Sequence, residues 1–252
     1  ETLMAWGWHA MQMTMDCSWK YDTYAVIDEV DLSDYGVGGH TIIPTSPCAV
    51  TYASSLGIPE VQMTEPLLGI EPAAMVVDKE TVFEALDWDG DGLCISIIGD
   101  VGSWEEIISV AVRFNAMHQK VIFVLPPTYR DRASLMTAAC SHDISQMFSE
   151  VPRSLRTLDV LVASDCAWSP PTAPYDSTSN VLDVLTAATQ MTPLAVHTSH
   201  PIASIPTIGS NVAWVKDSVV VSGWMLELKS NQAEVERTCA ERVSLVRSIM
   251  TP

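Results

Sequence analysis

Leu93-Cys94-Ile95-Ser96-Ile97-Ile98-Gly99-Asp100-Val101-Gly102-Ser103-Trp104-Glu105-Glu106 is the stretch on which the fold turns. Residues 93–98 form an apolar run interrupted only by the small Ser96, the pattern of a strand buried on both faces. Two glycines then punctuate a short loop. Ser103 is a good helix N-cap, and the acids at 105 and 106 suit the positive end of a helix running to about residue 117. Strand, glycine loop and capped helix in that order open a βαβ unit.

Read outward, the alternation continues. Asp78 can cap a helix over 79–86. A strand is predicted over 120–125, stopped by Pro126-Pro127, and helix over 132–139, with a further helical turn near 144–148. A buried strand over 158–163 ends in Ser164-Asp165, followed by a helix over 179–190 and a strand over 194–198. Residues 212–215 and 218–227 flank Lys216-Asp217 and read as a hairpin. An amphipathic helix over 231–250 closes the chain. The expectation is α/β: a mostly parallel, doubly wound sheet with a C-terminal antiparallel hairpin, occupying residues 76–252 as a Rossmann-like domain. Residues 1–75 carry Pro44, Pro47, Pro59, Pro66 and Pro72 and an aromatic cluster between Trp6 and Tyr24. They read as an irregular N-terminal arm or cap with short strands at 23–27 and 41–43.

Composition narrows the function classes. The 252 residues are 48% apolar and 17% charged, with mean hydropathy +0.19. That supports a sizeable core and excludes disorder, collagen and coiled coil. No apolar run is long enough to span a bilayer. The net charge is −18, and it is uneven. In residues 1–112 only Lys20 and Lys79 oppose 19 acids, a surface that repels phosphate backbones. Direct nucleic-acid binding by residues 1–112 is therefore not expected; the acidic half suits a basic protein partner, cations or plain solubility, and a protein partner or larger assembly is expected. Six cysteines without close pairing, and no glycosylation sequon, suggest reduced thiols and a cytoplasmic location. The chain starts at Glu1 without a basic, apolar leader, as expected of a processed product or a domain cut from something longer.

The parts from residue 93 onward resemble the class I S-adenosylmethionine-dependent methyltransferase domain. The most specific match is Leu158-Asp159-Val160-Leu161-Val162-Ala163-Ser164-Asp165-Cys166-Ala167-Trp168, similar to the family's fourth strand with an acid followed three residues later by an aromatic. The resemblance implies that Asp165 positions a nucleophile and Trp168 forms one wall of the slot. It also implies S-adenosylmethionine at Gly99, Asp100 and Gly102, with Asp131 as the nearest acid for the ribose after the second strand. The match is divergent, with a degenerate cofactor loop. It implies a methyltransferase acting on a protein amine or a viral RNA cap. The alternative is a non-catalytic, methyltransferase-like structural or interaction module of a larger assembly such as a viral one.

Three smaller motifs carry chemistry. Asp87-Trp88-Asp89-Gly90-Asp91-Gly92 matches the opening of a calcium loop, making Asp87, Asp89 and Asp91 a candidate calcium site. Position 12 would be Ile98 where an EF-hand needs Glu, and no other metal ligand set is expected. His197 and His200 follow a strand, where His197 could line a cleft at the carboxyl ends of the strands. Ser141-His142-Asp143 is contiguous and cannot act as a triad.

Overall fold

A computed structural model describes residues 77–99, 102–171, 179–200, 212–228 and 230–250, together with strands in the N-terminal part. The chain divides into two units. The first contains β1 (Thr2–Trp6), β2 (Asp22–Ile27) and β3 (Thr41–Pro44), paired in parallel in the order β1-β2-β3. The strands expected over 23–27 and 41–43 are present. The first, over residues 2–6, lies where the sequence reads as irregular.

The second unit holds six parallel strands in the order β6-β5-β4-β7-β8-β9. They are β4 (Leu93–Ile97), β5 (Val121–Leu125), β6 (Phe148–Glu150), β7 (Cys166–Ser169), β8 (Leu194–His197) and β9 (Ala213–Val215). Counted within the unit this order is 3-2-1-4-5-6, so the direction of winding reverses between β4 and β7. Seven helices accompany it among the described residues: α1 (Lys79–Ala85), α2 (Trp104–Ala116), α3 (Arg132–Ser141), α4 (Thr157–Ala163), α5 (Ser179–Ala188), α6 (Ser218–Leu228) and α7 (Gln232–Met250).

The two central strands show why. Every residue of β4 and β5 is buried, and their side chains alternate between two cores. Leu93, Ile95, Ile97, Val121, Phe123 and Leu125 join the core under α2, α3 and α6, whereas Cys94, Ile122 and Val124 join the one under α1 and α4. Phe123 anchors the first, its ring 6.3 Å from Phe114 and 5.4 Å from Phe148. Ser103 caps α2 as expected, its hydroxyl accepting from the Glu106 amide.

Two expectations are corrected. Residues 158–163 are helix, not strand: Arg156 at its N-cap grips Asp159 three residues on (2.8 and 2.6 Å), and Ser164 donates back to the Val160 carbonyl (2.7 Å). A short, mostly apolar stretch is compatible with either state, and here the local polar contacts select the helix. The strand follows instead at β7. The C-terminal antiparallel hairpin is also absent. β9 pairs with β8 in parallel, and the β-branched run after it is α6, whose N-terminus is capped by Asp217 Oδ1 accepting from the Val219 and Val220 amides.

Candidate functional site

The carboxyl ends of β4 and β5 open into a crevice of about 360 Å³. This is the end of a doubly wound sheet at which ligands bind, beside the point where the winding reverses. It is lined by Ser96 and Val124 from the strands, Pro126 and Thr128 after β5, and Leu158 and Leu161 of α4. Gly99 stands at its mouth with φ +96°, a conformation that only glycine adopts readily and that lets a ligand approach the backbone. Asp183 of α5 is the one ionisable side chain among the described lining residues.

The loop after β4 is held from both flanks. Tyr129, buried, donates its hydroxyl to the Gly102 carbonyl (2.8 Å). From the other flank the Ser103 amide donates to Pro171 (2.7 Å). A Cβ at Gly102 would lie 2.6 Å from Pro170 Cγ, so the loop packs too tightly against β7's exit for any larger residue.

The sequence-derived site residues are dispersed. Gly99 lines the crevice and Gly102 anchors the loop behind it. Asp100 lies outside the described residues. Asp131 occupies the N-cap position of α3, exposed and outside the crevice lining. Asp165 precedes β7 and therefore sits at the amino end of the sheet, opposite Gly99. Its carboxylate accepts from the Cys94 amide (2.8 Å) and pairs with Lys79 (3.3 Å). Trp168 is in the middle of the core, 1% exposed, paired with Ile97. Misreading α4 as a strand put both residues at the wrong end. The crevice residues missed by that reading are Thr128, Thr157, Leu161 and Asp183. The rule that ligands collect where open sheets change winding direction, applied to the correct strands, points to them.

The calcium expectation is overturned as well. Asp89 is ion-paired with Lys120, which holds its carboxyl below the usual range. No cluster of metal-ligating side chains exists among the described residues.

A second polar group lies at the carboxyl end of β8. His197 Nδ1 accepts from the Ser199 amide (3.1 Å) and lies 2.7 Å from Ser199 Oγ. Its Nε2 lies 3.1 Å from the Lys216 carbonyl. Glu106, in the first turn of α2, has one carboxylate oxygen buried without a hydrogen bond. Burial raises its pKa, opposed by nearby His197 and reinforced by Asp217. His200 is buried, and desolvation with the neighbouring His197 pushes it down to about 4.

No known family's sequence pattern matches the chain, and no curated protein matches it. Solved structures do. HepE from Anabaena, in complex with UDP, superimposes with a TM-score of 0.73 over 98% of this chain and 74% of its own, at 11% identity. Sucrose-phosphate synthase from Thermosynechococcus elongatus gives 0.72 over 99% and 69%, also at 11% identity. A UDP-forming trehalose-phosphate synthase from Burkholderia xenovorans gives 0.65 over 98% and 70%, at 14% identity. The chain shares the fold of these three structures. The methyltransferase resemblance, with S-adenosylmethionine as cofactor, is thereby corrected. Its final hairpin is missing here, and the strand that carried its most specific match is a helix. Among the described residues, no helix is long and apolar enough to cross a membrane.

Proposed function

We propose that this chain is a glycosyltransferase-type domain that binds a uracil nucleotide sugar in the crevice above Gly99, with glycosyl transfer as the reaction class. The observation that carries this reading is the match to glycosyltransferase structures over nearly the whole chain, including HepE with UDP and with UDP-glucose. The crevice falls where such an α/β sheet receives its ligand.

In this reading each residue has a physical task. Gly99 admits the ligand to within contact of the backbone. The apolar walls from Pro126 and Leu161 exclude water from a planar base. The hydroxyls of Thr128 and Thr157 and the carboxylate of Asp183 offer hydrogen bonds to base and ribose. The clamp from Tyr129 to Gly102 holds the loop in the receptive conformation.

A second reading, a nucleotide-binding or interaction module without catalytic power, is favoured by one observation. No Lys, Arg or His is among the described lining residues, whereas departure of a nucleoside diphosphate calls for positive charge at the phosphates. The excess of acids in residues 1–112 then serves a basic protein partner. Four described cysteines are free thiols, three of them buried, which supports a reducing compartment in either reading.

Calorimetric titration with UDP and UDP-glucose tests the assignment. Saturable heat that disappears in Leu161→Trp, which fills the crevice, is the expected result. Folded wild-type protein giving no heat with either ligand contradicts it.

A further inference from the structure

We propose that this chain holds a second small-molecule site, at the amino end of β8 and β9, which takes a compact apolar molecule bearing a carboxylate. The site is a cavity of about 270 Å³ lined by those strands and by α6 and α7. Leu194 and Ala213, the first residues of β8 and β9, place it at the end of the sheet opposite the crevice beside Gly99. The inference therefore stands apart from the nucleotide-binding reading. Leu194, Val212, Trp224, Leu228 and Val235 supply apolar wall, which suits a hydrocarbon or aromatic body.

What sets the cavity apart is the cation in its wall. Arg242 lines it, although 1% of that residue is exposed to bulk solvent. Its guanidinium donates to the carbonyls of Ala188 (3.2 Å), Gln190 and Thr192 (2.6 Å each). The Cys239 thiol, also lining the cavity, is a further neutral partner. The carbonyl bonds take Nε and Nη2 and hold the group rigid; Nη1 brings two more donors. The carbonyls at the end of α5 answer the charge with the partial negative charge of a helix C-terminus, about half a unit. Burial still pulls the Arg242 pKa down. A buried charge met by dipoles gains from a true counter-ion, and a carboxylate fits the guanidinium fork in shape as well as in sign.

Two acids share the lining. Glu227 and Glu234 are both exposed, and Glu234 is paired with Arg237 (2.6 Å), so water and salt screen them from an anion held at the buried Arg242. Size selects within the class. An apolar cavity of about 150 Å³ accommodates benzene, and the additional volume here admits a short arm ending in a carboxylate. One aromatic ring on such an arm matches both the walls and the cation.

The test titrates the full chain with 3-phenylpropionate, its neutral amide and 3-phenylpropylamine by calorimetry. The carboxylate should bind saturably and roughly tenfold or more tightly than the amide, the gain of a charge-assisted bond, with the amine weaker still. Thr238→Trp, which fills the cavity from a half-buried position on α7, should abolish that binding while the thermal unfolding midpoint is kept. Equal affinity for carboxylate and amide, or tighter binding of the amine, overturns the proposal. So does carboxylate binding that survives in folded Thr238→Trp, or no binding to folded wild-type protein. None of these outcomes bears on the titrations with UDP and UDP-glucose, so the two readings fail separately.

Discussion

His200 is an imidazole with 1% of its surface exposed, and burial, with a smaller contribution from the neighbouring His197, disfavours its charged form. It titrates near 6.5 in the unfolded chain and near 4 in the fold. Between those values the unfolded chain binds more protons, so stability is intact above about 6.5 and is lost as the pH falls toward about 4. The gap corresponds to about 3 kcal/mol. Denaturant titrations from pH 7 to pH 4 should show that loss in the wild type and a flatter profile in His200→Gln. Equal slopes would remove His200 as the cause. At the same scale, Tyr129→Phe strips the Gly102 carbonyl of its buried donor and should cost about 1–3 kcal/mol, with weaker ligand binding because the loop after β4 is freed. Calorimetry and unfolding of the one variant give both numbers.

At the scale of elements, Arg242 joins two helices that are far apart in sequence. From α7 its guanidinium donates to the carbonyls of Ala188, Gln190 and Thr192, just where α5 ends. It thus satisfies orphan C-terminal acceptors and meets the negative end of the helix dipole. Arg242→Met should destabilise by about 3 kcal/mol or more, since buried acceptors are left unmatched; a change within about 0.5 kcal/mol in thermal unfolding would refute that role. Phe123→Ala, by contrast, tests the sheet itself: its ring touches α2 and β6 partners, and its loss should cost about 3–5 kcal/mol. Legibility also divides at this scale. β4, α2, β5 and α7 are readable because long periodic runs, a cap at Ser103 and the stop at Pro126 agree. α4 and α6 are not, because short apolar runs rich in Val and Leu suit a strand as well as a buried helix. Their state is decided by Arg156 with Asp159 and by the Asp217 cap. Since Asp165 follows α4, that one misassignment moves the presumed catalytic acid to the wrong end of the sheet. Asp183 has no local signal at all. It lines the crevice only through the packing of the folded unit, which is a tertiary fact.

For the whole molecule, the all-parallel order β6-β5-β4-β7-β8-β9 places one crevice at the carboxyl edge and leaves the amino edge to ion pairs such as Lys79 with Asp165. The parallel α/β character follows from the alternation of buried strands and helices. The likeness to the solved structures does not, since at 11–14% identity the backbone geometry is shared while the residue patterns are not. An amide NMR spectrum of the isotope-labelled full chain, titrated with uridine, addresses the central claim directly. The account predicts shifts gathered on Gly99, Thr128, Thr157 and Asp183 around the crevice. Shifts confined to the amino edge around Lys79, Lys120 and Asp165, or none at saturating ligand, would contradict it.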